Sequence, residues 1–468
     1  MRSGYVVDDL AEFVVGAKQS DLSPRQRELL KRNVLDSVAC AVGALGGELI
    51  PTIRAHAQQF GGTPSATLVG GGRTSVDQAA FFNTVLVRYP DLLDTYLTVG
   101  GLCHPADNFG AVLAVAEHVG AGGADFLLAL AVAYELQCRF SAKVPVMARG
   151  LNHALQLAMS VAAGSARLLG LDAAGTANAI AAATADNVSL AAVHTEPVSA
   201  WKGISPAITG MRAVYTTILA GRGITGPRSL FDGPNGLVQL FNQPIDFDTS
   251  DRRLGSVERT YLKKYCALIH GQAIIEALLT IRADHELTGD DIANVRIDVF
   301  QTGYDIAGGG AYGSKDHPET KEQADYNLKY LSAVALLDGG VGPEQLETER
   351  VRRSDVQQLL TRVEVVAAAD LTADYPDRTA VRVQVRTRDG REFNREESDY
   401  EGSPTRPMSW GRVVAKFHWL SAPCCDEPLR ADIVAAVDHL EQIPVAELTR
   451  LLAAVSPAPR RPRGHPRF

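Results

Sequence analysis

Cysteine is sparse in this sequence, and its placement rules out more than it suggests. Six cysteines (Cys40, Cys103, Cys138, Cys266, Cys424, Cys425) are scattered over 468 residues, and the only close pair is adjacent. That excludes a disulfide-stapled scaffold and the paired thiols of a structural zinc site, and it suits a reducing compartment. HExxH, GxSxG and GxxxxGK[ST] are all missing. The glycine clusters Gly70–Gly72 and Gly308–Gly310 do not follow a strand with a dinucleotide fingerprint. Zinc-hydrolase, serine-hydrolase and nucleotide-binding readings therefore lose their usual support. No run approaches the ~18–20 apolar residues of a membrane span. The most apolar segments, such as FLLALAVAYELQCRF, carry charges and read as buried helices. The start, MRSGYVVDDLAEF, is acidic and lacks the apolar centre of a signal peptide. A net charge of −8 argues against nucleic acid or an anionic membrane as a general partner. A soluble cytoplasmic protein is expected.

What is abundant is alanine-rich helical text. Ser23-Pro24-Arg25-Gln26 combines an N-cap serine, a proline at the first helical position and a capping-box glutamine. The helix it opens is expected to run to Gly46-Gly47. NFGAVLAVAEHVG, ADFLLALAVAYELQCRF, LQLAMSVAAGSARLLGL and AITGMRAVYTTILAGRG follow, several stopping at glycine. From about residue 290 the pattern changes. IANVRIDVF alternates as a strand, TKEQADYNLKYLSAVALLDGG reads as one helix, and SDVQQLLTRV as another. TRVEVVA reads as a strand, and TAVRVQVRT-RDG-REFNREE as a hairpin. The fold class expected is mainly α: a large all-helical domain (1–262 and 410–458) with a smaller α+β domain (263–409). Residues 459–468, rich in Pro and Arg, read as a disordered basic tail.

Four polar constellations stand out. RYPDLLDTYLTVGGLCHPADN holds Asp91, Asp94, Thr95 and His104; AWKG holds Lys202 just ahead of a helix. LKKYCALIHGQ holds Lys263 and His270, and the α+β domain holds Asp325, Tyr326 and Tyr330. Each has an ordinary structural reading. Asp91 would cap a helix, His104-Pro105 would be a turn, and Lys202 would be a solvated charge beside a packed Trp201. Lys263-Lys264 would be a surface pair, and Tyr330 a core residue.

As an ordered set, these pieces resemble the MmgE/PrpD family. The resemblance runs from about Asp36 to Phe417 through YPDLLDTY, HPADNFGAVLAVAEHVG, ARLLGLDAAGTANAI, WKG, ILAGRGITGP, LKKYCALIHGQ, YLSAVALLDGG and PMSW…KF. It implies a helical domain built from both chain ends, carrying an α+β lid with the active site between them. It also implies a homodimer, and catalysis without metal or organic cofactor. Asp91, His104, Lys202 and Tyr330 match the family's catalytic positions; Asp94, Thr95, Lys263 and His270 match positions around the substrate, and His153 of GLNHALQ is an approximate match there. Three departures are visible: the spacer Thr95–Cys103 is longer than in the decarboxylase pattern, Cys266 stands where proline is frequent, and His153 is offset.

The chemistry implied is a lyase reaction on a small di- or tricarboxylate. Dehydration needs a base for a proton next to a carboxylate, an acid for the departing hydroxyl, and cations for the carboxylates. His104 with Asp91 would form the acid–base pair, positioned by Thr95. Lys202 and Lys263 would hold carboxylates, and Tyr330 would donate a proton or hydrogen bond. Dehydration of 2-methylcitrate to 2-methyl-cis-aconitate leads. Decarboxylation of cis-aconitate and epimerisation of a dicarboxylate such as iminodisuccinate are the rivals. A non-catalytic carboxylate binder would need the cations but not the base.

Overall fold

The computed structural model describes residues 4–99 and 101–456. The basic tail at 459–468 lies outside them. Of the described residues 57% are helical, and the chain divides into two compact units.

The first unit takes the chain up to Ala191, Gly203–Thr260, and the C-terminal part from Ser409. Its helices form where the sequence signals them. Helix Pro24–Gly43 opens on Ser23, whose Oγ accepts the Gln26 amide at 3.2 Å while the Ser23 amide donates to Gln26 Oε1 at 2.9 Å. It closes earlier than glycine spacing predicts, because Ala44–Gly46 tighten into a 3-10 turn. Helices Val76–Arg88 and Asp107–His118 pack closely, and Gly110 explains how: a Cβ there would lie 2.4 Å from the Thr84 amide nitrogen. Only glycine admits that approach. Helices Gly123–Lys143, Ala154–Leu168 and Ala173–Ala185 continue the buried layer. Strands β1 (Ala66–Thr67) and β2 (Arg73–Thr74) form a minimal hairpin. So do β3 (Tyr96–Thr98) and β4 (Gly101–Cys103), antiparallel with Tyr96 opposite Cys103. The C-terminal helices Trp410–Ser421, Glu427–Asp438 and Val445–Ala454 belong to this unit, the first packing on Pro24–Gly43.

The second unit comprises Ala192–Lys202 and Tyr261–Met408. Its sheet runs β6-β5-β7-β8, from β5 (Ile292–Val299), β6 (Val363–Ala367), β7 (Val381–Thr387) and β8 (Glu392–Glu397). β5 pairs parallel with β6 and antiparallel with β7, and β7–β8 is the expected hairpin. Val381, Val383 and Val385 are buried while Arg382, Gln384 and Arg386 are not, the alternation of a sheet covered on one face. Helices Gln272–Asp284 and Leu328–Asp338 pack against it. One expectation fails here. The segment read as one helix from 320 is two, Lys321–Ala324 and Leu328–Asp338. Asn327 breaks it, because its side chain accepts the Tyr330 amide at 3.0 Å and caps the second helix. Among the described residues, no single helix is long and apolar enough to cross a membrane.

Candidate active site

In the first unit the site grows from the end of helix Val76–Arg88. Arg88 is fully buried, and its Nη1 meets Asp91 Oδ1 at 3.2 Å. Asp91 adopts φ +48°, a left-handed conformation that costs a non-glycine residue about 1–2 kcal/mol. It is not a helix cap; it is held in strain by a buried cation.

The next residues are fixed from behind. Lys416, from helix Trp410–Ser421, donates to the Leu92 carbonyl at 3.1 Å and to Asp36 Oδ1 at 2.5 Å. Asp94 accepts the Ala106 amide at 2.8 Å and the Asn33 side chain at 3.1 Å. Burial raises the Asp94 carboxyl to about 7, against the opposing Ala106 hydrogen bond. Asp94 thus serves as a brace within the unit.

The nine residues from Thr95 to Cys103 contain the β3–β4 hairpin. Since Tyr96 pairs with Cys103, the residues just outside, Thr95 and His104, are brought together: Thr95 Oγ1 lies 3.2 Å from His104 Nδ1. The same nitrogen lies 2.7 Å from the Asp94 carbonyl oxygen. A carbonyl only accepts, so this contact assigns the proton to Nδ1 and leaves the lone pair on Nε2. His153 stands edge-on to His104, ring centroids 5.2 Å apart, with its Nε2 3.6 Å from Asp107 Oδ2. Burial holds the His153 imidazole below its ordinary range, with Asp107 opposing the shift. Asp107 is fully buried in the first helical turn after His104-Pro105, and neither of its carboxylate oxygens has a hydrogen-bond partner among the described residues. Asn152, beside His153, likewise has both side-chain polar atoms unpartnered among them. Buried polar groups in that condition are uncommon, and each calls for an explanation such as a bound water, an ion or a catalytic role. Arg88, Asp107 and Asn152 were not singled out from sequence. For Asp107 the signal was present, three residues after His104 in HPAD.

In the second unit Lys202 lies in the first turn of helix Trp201–Gly221 rather than ahead of it, 3% exposed. It is no solvated charge: it ion-pairs with Asp325, which Lys321 also meets at 3.0 Å, and its Nζ sits 3.8 Å from the centre of the Tyr326 ring. His194 stacks on the same Tyr326 ring, with centroids 5.5 Å apart. Lys315 is buried against Glu196 at 2.5 Å. The two neighbouring lysines separate in role. Lys264 pairs with Glu276 at 3.0 Å, while Lys263 is 1% exposed and acts electrostatically on His270. His270 packs edge-on against Phe300 (5.1 Å) and Tyr375 (5.9 Å), with neither ring nitrogen hydrogen-bonded among the described residues. Burial first, then the Lys263 charge, pushes it down to about 3. Tyr330 sits elsewhere: fully buried, its hydroxyl donates to the Gln345 carbonyl, and Tyr326 is the tyrosine that meets Lys202. Among the described residues no group of three or more His, Cys, Asp or Glu is placed to hold a metal ion.

The MmgE/PrpD N-terminal domain profile matches residues 8–250, and the MmgE/PrpD C-terminal domain profile residues 265–442. The chain belongs to the MmgE/PrpD family. Among relatives, it is 23% identical to a cis-aconitate decarboxylase of Mus musculus, over 96% of this chain and 94% of the relative. It is 26% identical to a 2-methylcitrate dehydratase of Salmonella typhimurium, over 88% and 90%, and 26% identical to one from Cupriavidus necator, over 74% of each. Both MmgE/PrpD domains carry polar clusters: the N-terminal match contains Asp91, His104 and His153, and the C-terminal match contains His270 and Asp325.

Proposed function

We infer that this MmgE/PrpD chain is a lyase acting through side chains alone on a small tricarboxylate, dehydrating 2-methylcitrate to 2-methyl-cis-aconitate. The observation that carries this is the pair of buried imidazoles, His104 and His153, each tied to a different acceptor. His104, with its proton fixed on Nδ1 by the Asp94 carbonyl, offers Nε2 as the base for the carbon-bound proton. His153, beside Asp107, is suited to return a proton to the departing hydroxyl, since the carboxylate favours its charged form while burial eases release. Asp91, held by Arg88, completes the acid–base group, and Thr95 positions the His104 ring. Within the second unit, Lys202 and Lys263 are buried cations of the kind that hold carboxylates, and the Tyr326 ring lies against Lys202. Six free, buried cysteines support a cytoplasmic setting.

Incubating the purified chain with 2-methylcitrate should raise ultraviolet absorbance as a conjugated double bond forms. Absence of that signal with carbon dioxide released from cis-aconitate would replace dehydration by decarboxylation. The second reading is favoured by one observation, the decarboxylase relative that aligns over 96% of the chain. Solvent deuterium uptake into iminodisuccinate without net reaction would mark an epimerase. A pure carboxylate binder fits less well, because the first unit holds two buried imidazoles, one fixed by a backbone carbonyl and one beside a carboxylate, instead of presenting cations alone.

A further inference from the structure

Asn152 is buried for no reason that the fold supplies. It is 1% exposed, and neither its Oδ1 nor its Nδ2 has a hydrogen-bond partner among the described residues. Unsatisfied carboxamides are not a habit of this unit. Asn83, also buried, accepts the Val69 amide and donates to the Thr67 carbonyl, both at 3.0 Å. Asn108 donates to the Pro105 carbonyl at 2.9 Å and to Gln137 Oε1 at 2.7 Å, and accepts from Ser160 at 2.7 Å. The backbone of Asn152 is pinned on both sides. Its amide donates to the Ser189 carbonyl at 2.8 Å, Leu151 bridges to Leu190, and His153 holds the N-cap position of helix Ala154–Leu168.

The next residue, His153, reaches Asp107, and at 3.6 Å that ion pair is too long for a hydrogen bond. Both Asp107 carboxylate oxygens are therefore unused as well, in a side chain with no exposed surface. One donor group and three acceptor atoms thus stand idle on the residue that precedes His153 and the residue that faces it. Leaving such groups dry and unpaired is costly, and a ligand that pairs them recovers the cost. A substrate carboxylate does not fit this set, since it only accepts and three of the four atoms do the same. A hydroxyl does fit: it gives an O–H to an acceptor and a lone pair to the donor. The water it becomes on leaving gives two O–H groups.

We propose that Asn152 and Asp107 hold the substrate hydroxyl that leaves, with Nδ2 of Asn152 donating to its oxygen and Asp107 accepting its O–H. The proposal rests on the lyase reading and adds the group by which the substrate is chosen. As the carbon–oxygen bond breaks, its electron pair goes to oxygen, which takes the His153 proton and departs as water. The electron pair of the carbon–hydrogen bond, released as His104 takes that proton, forms the double bond. The new O–H meets Asn152 Oδ1, so the set is filled more completely by the departing water than by the bound hydroxyl, and bond breaking is favoured. Neither cis-aconitate nor iminodisuccinate carries a hydroxyl to fill it.

The test compares two ligands that differ only by that hydroxyl, 2-methylcitrate and butane-1,2,3-tricarboxylate. Calorimetry reads their binding to the full chain carrying His104→Ala, so that turnover does not intrude. 2-Methylcitrate should bind about tenfold or more tightly, since a site built to pair a hydroxyl rejects the analogue without it. Adding Asn152→Leu should bring the two affinities within about threefold of each other. It should leave butane-1,2,3-tricarboxylate binding within about twofold and the far-ultraviolet circular dichroism spectrum unchanged. Asn152→Ala carries the test if the leucine variant does not fold. A folded variant that keeps the preference, or that weakens both ligands alike as a structural residue would, overturns the proposal. Equal binding of the two ligands before Asn152 is changed also overturns it and leaves the tricarboxylate reading standing, whereas binding of neither removes both.

Discussion

The Nδ1 of His104 and the backbone carbonyl of Asp94 lie 2.7 Å apart. Because a main-chain oxygen cannot donate, this contact orients the ring without sharing a proton, and substitution of the Asp94 side chain leaves it in place.

This separates two roles that are easily confused. His104→Ala should lower kcat about 10²-fold or more in a folded protein, the usual loss for a general base. Asp94→Asn, which removes the charge of the brace that meets Asn33 and Ala106, should lower kcat by about tenfold with KM unchanged. A KM that rises instead would make Asp94 a substrate contact, as the family resemblance implies.

His270 makes stability sensitive to acid. It is neutral in the folded protein down to about 3, while the unfolded chain binds a proton near 6.5. Below pH 6.5 the unfolded state therefore holds more protons, and stability falls as pH drops toward 3, by a few kcal/mol over the whole window. Urea midpoints at pH 7.5 and 5 should differ more for the wild type than for His270→Phe. Equal differences would assign the acid sensitivity to other groups.

Tyr330 offers a direct test of the resemblance against the geometry. Its hydroxyl donates to the Gln345 carbonyl, so Tyr330→Phe should cost about 1 kcal/mol of stability and leave turnover within a few-fold. A 10²-fold loss of kcat at unchanged stability would restore it as a proton donor.

Lys416 joins the C-terminal helix to the Asp91–Asp94 segment. Lys416→Met leaves Asp36 buried beside lost hydrogen bonds, and should destabilise the fold by about 3–5 kcal/mol. Thermal unfolding of Lys416→Met and of Lys416→Met/Asp36→Asn checks this: the double variant should recover part of the loss.

Much of this was legible in the sequence because local signals agreed with the final fold. Ser23-Pro24-Gln26 announced a helix start, and the alternation of Val381, Val383 and Val385 announced a strand with one covered face. Polar residues such as His104 and Lys202 stood out in the sequence, and both prove to be buried. What was not legible depended on direction and contact. Nothing in DYNLKY says that Tyr326 faces Lys202 while Tyr330 turns to Gln345; a helix break set by Asn327 decides that. Arg88 reads as the polar end of a helix until its burial against Asp91 is seen. Asp107 reads as an ordinary N-terminal acid until His153, 46 positions later, arrives beside it.

The β3–β4 hairpin carries a consequence for how such sites diversify. A two-stranded ribbon tolerates growth at its tip in matched pairs, one residue per strand, without disturbing its base. Thr95 and His104 sit at that base, so the tip can lengthen or shorten by even steps while the imidazole keeps its place. An odd insertion would need a bulge, or would turn alternate side chains to the wrong face. Spacer length can thereby change without moving the His104 ring away from the Asp94 carbonyl, which uncouples the size of the ribbon from the position of the imidazole.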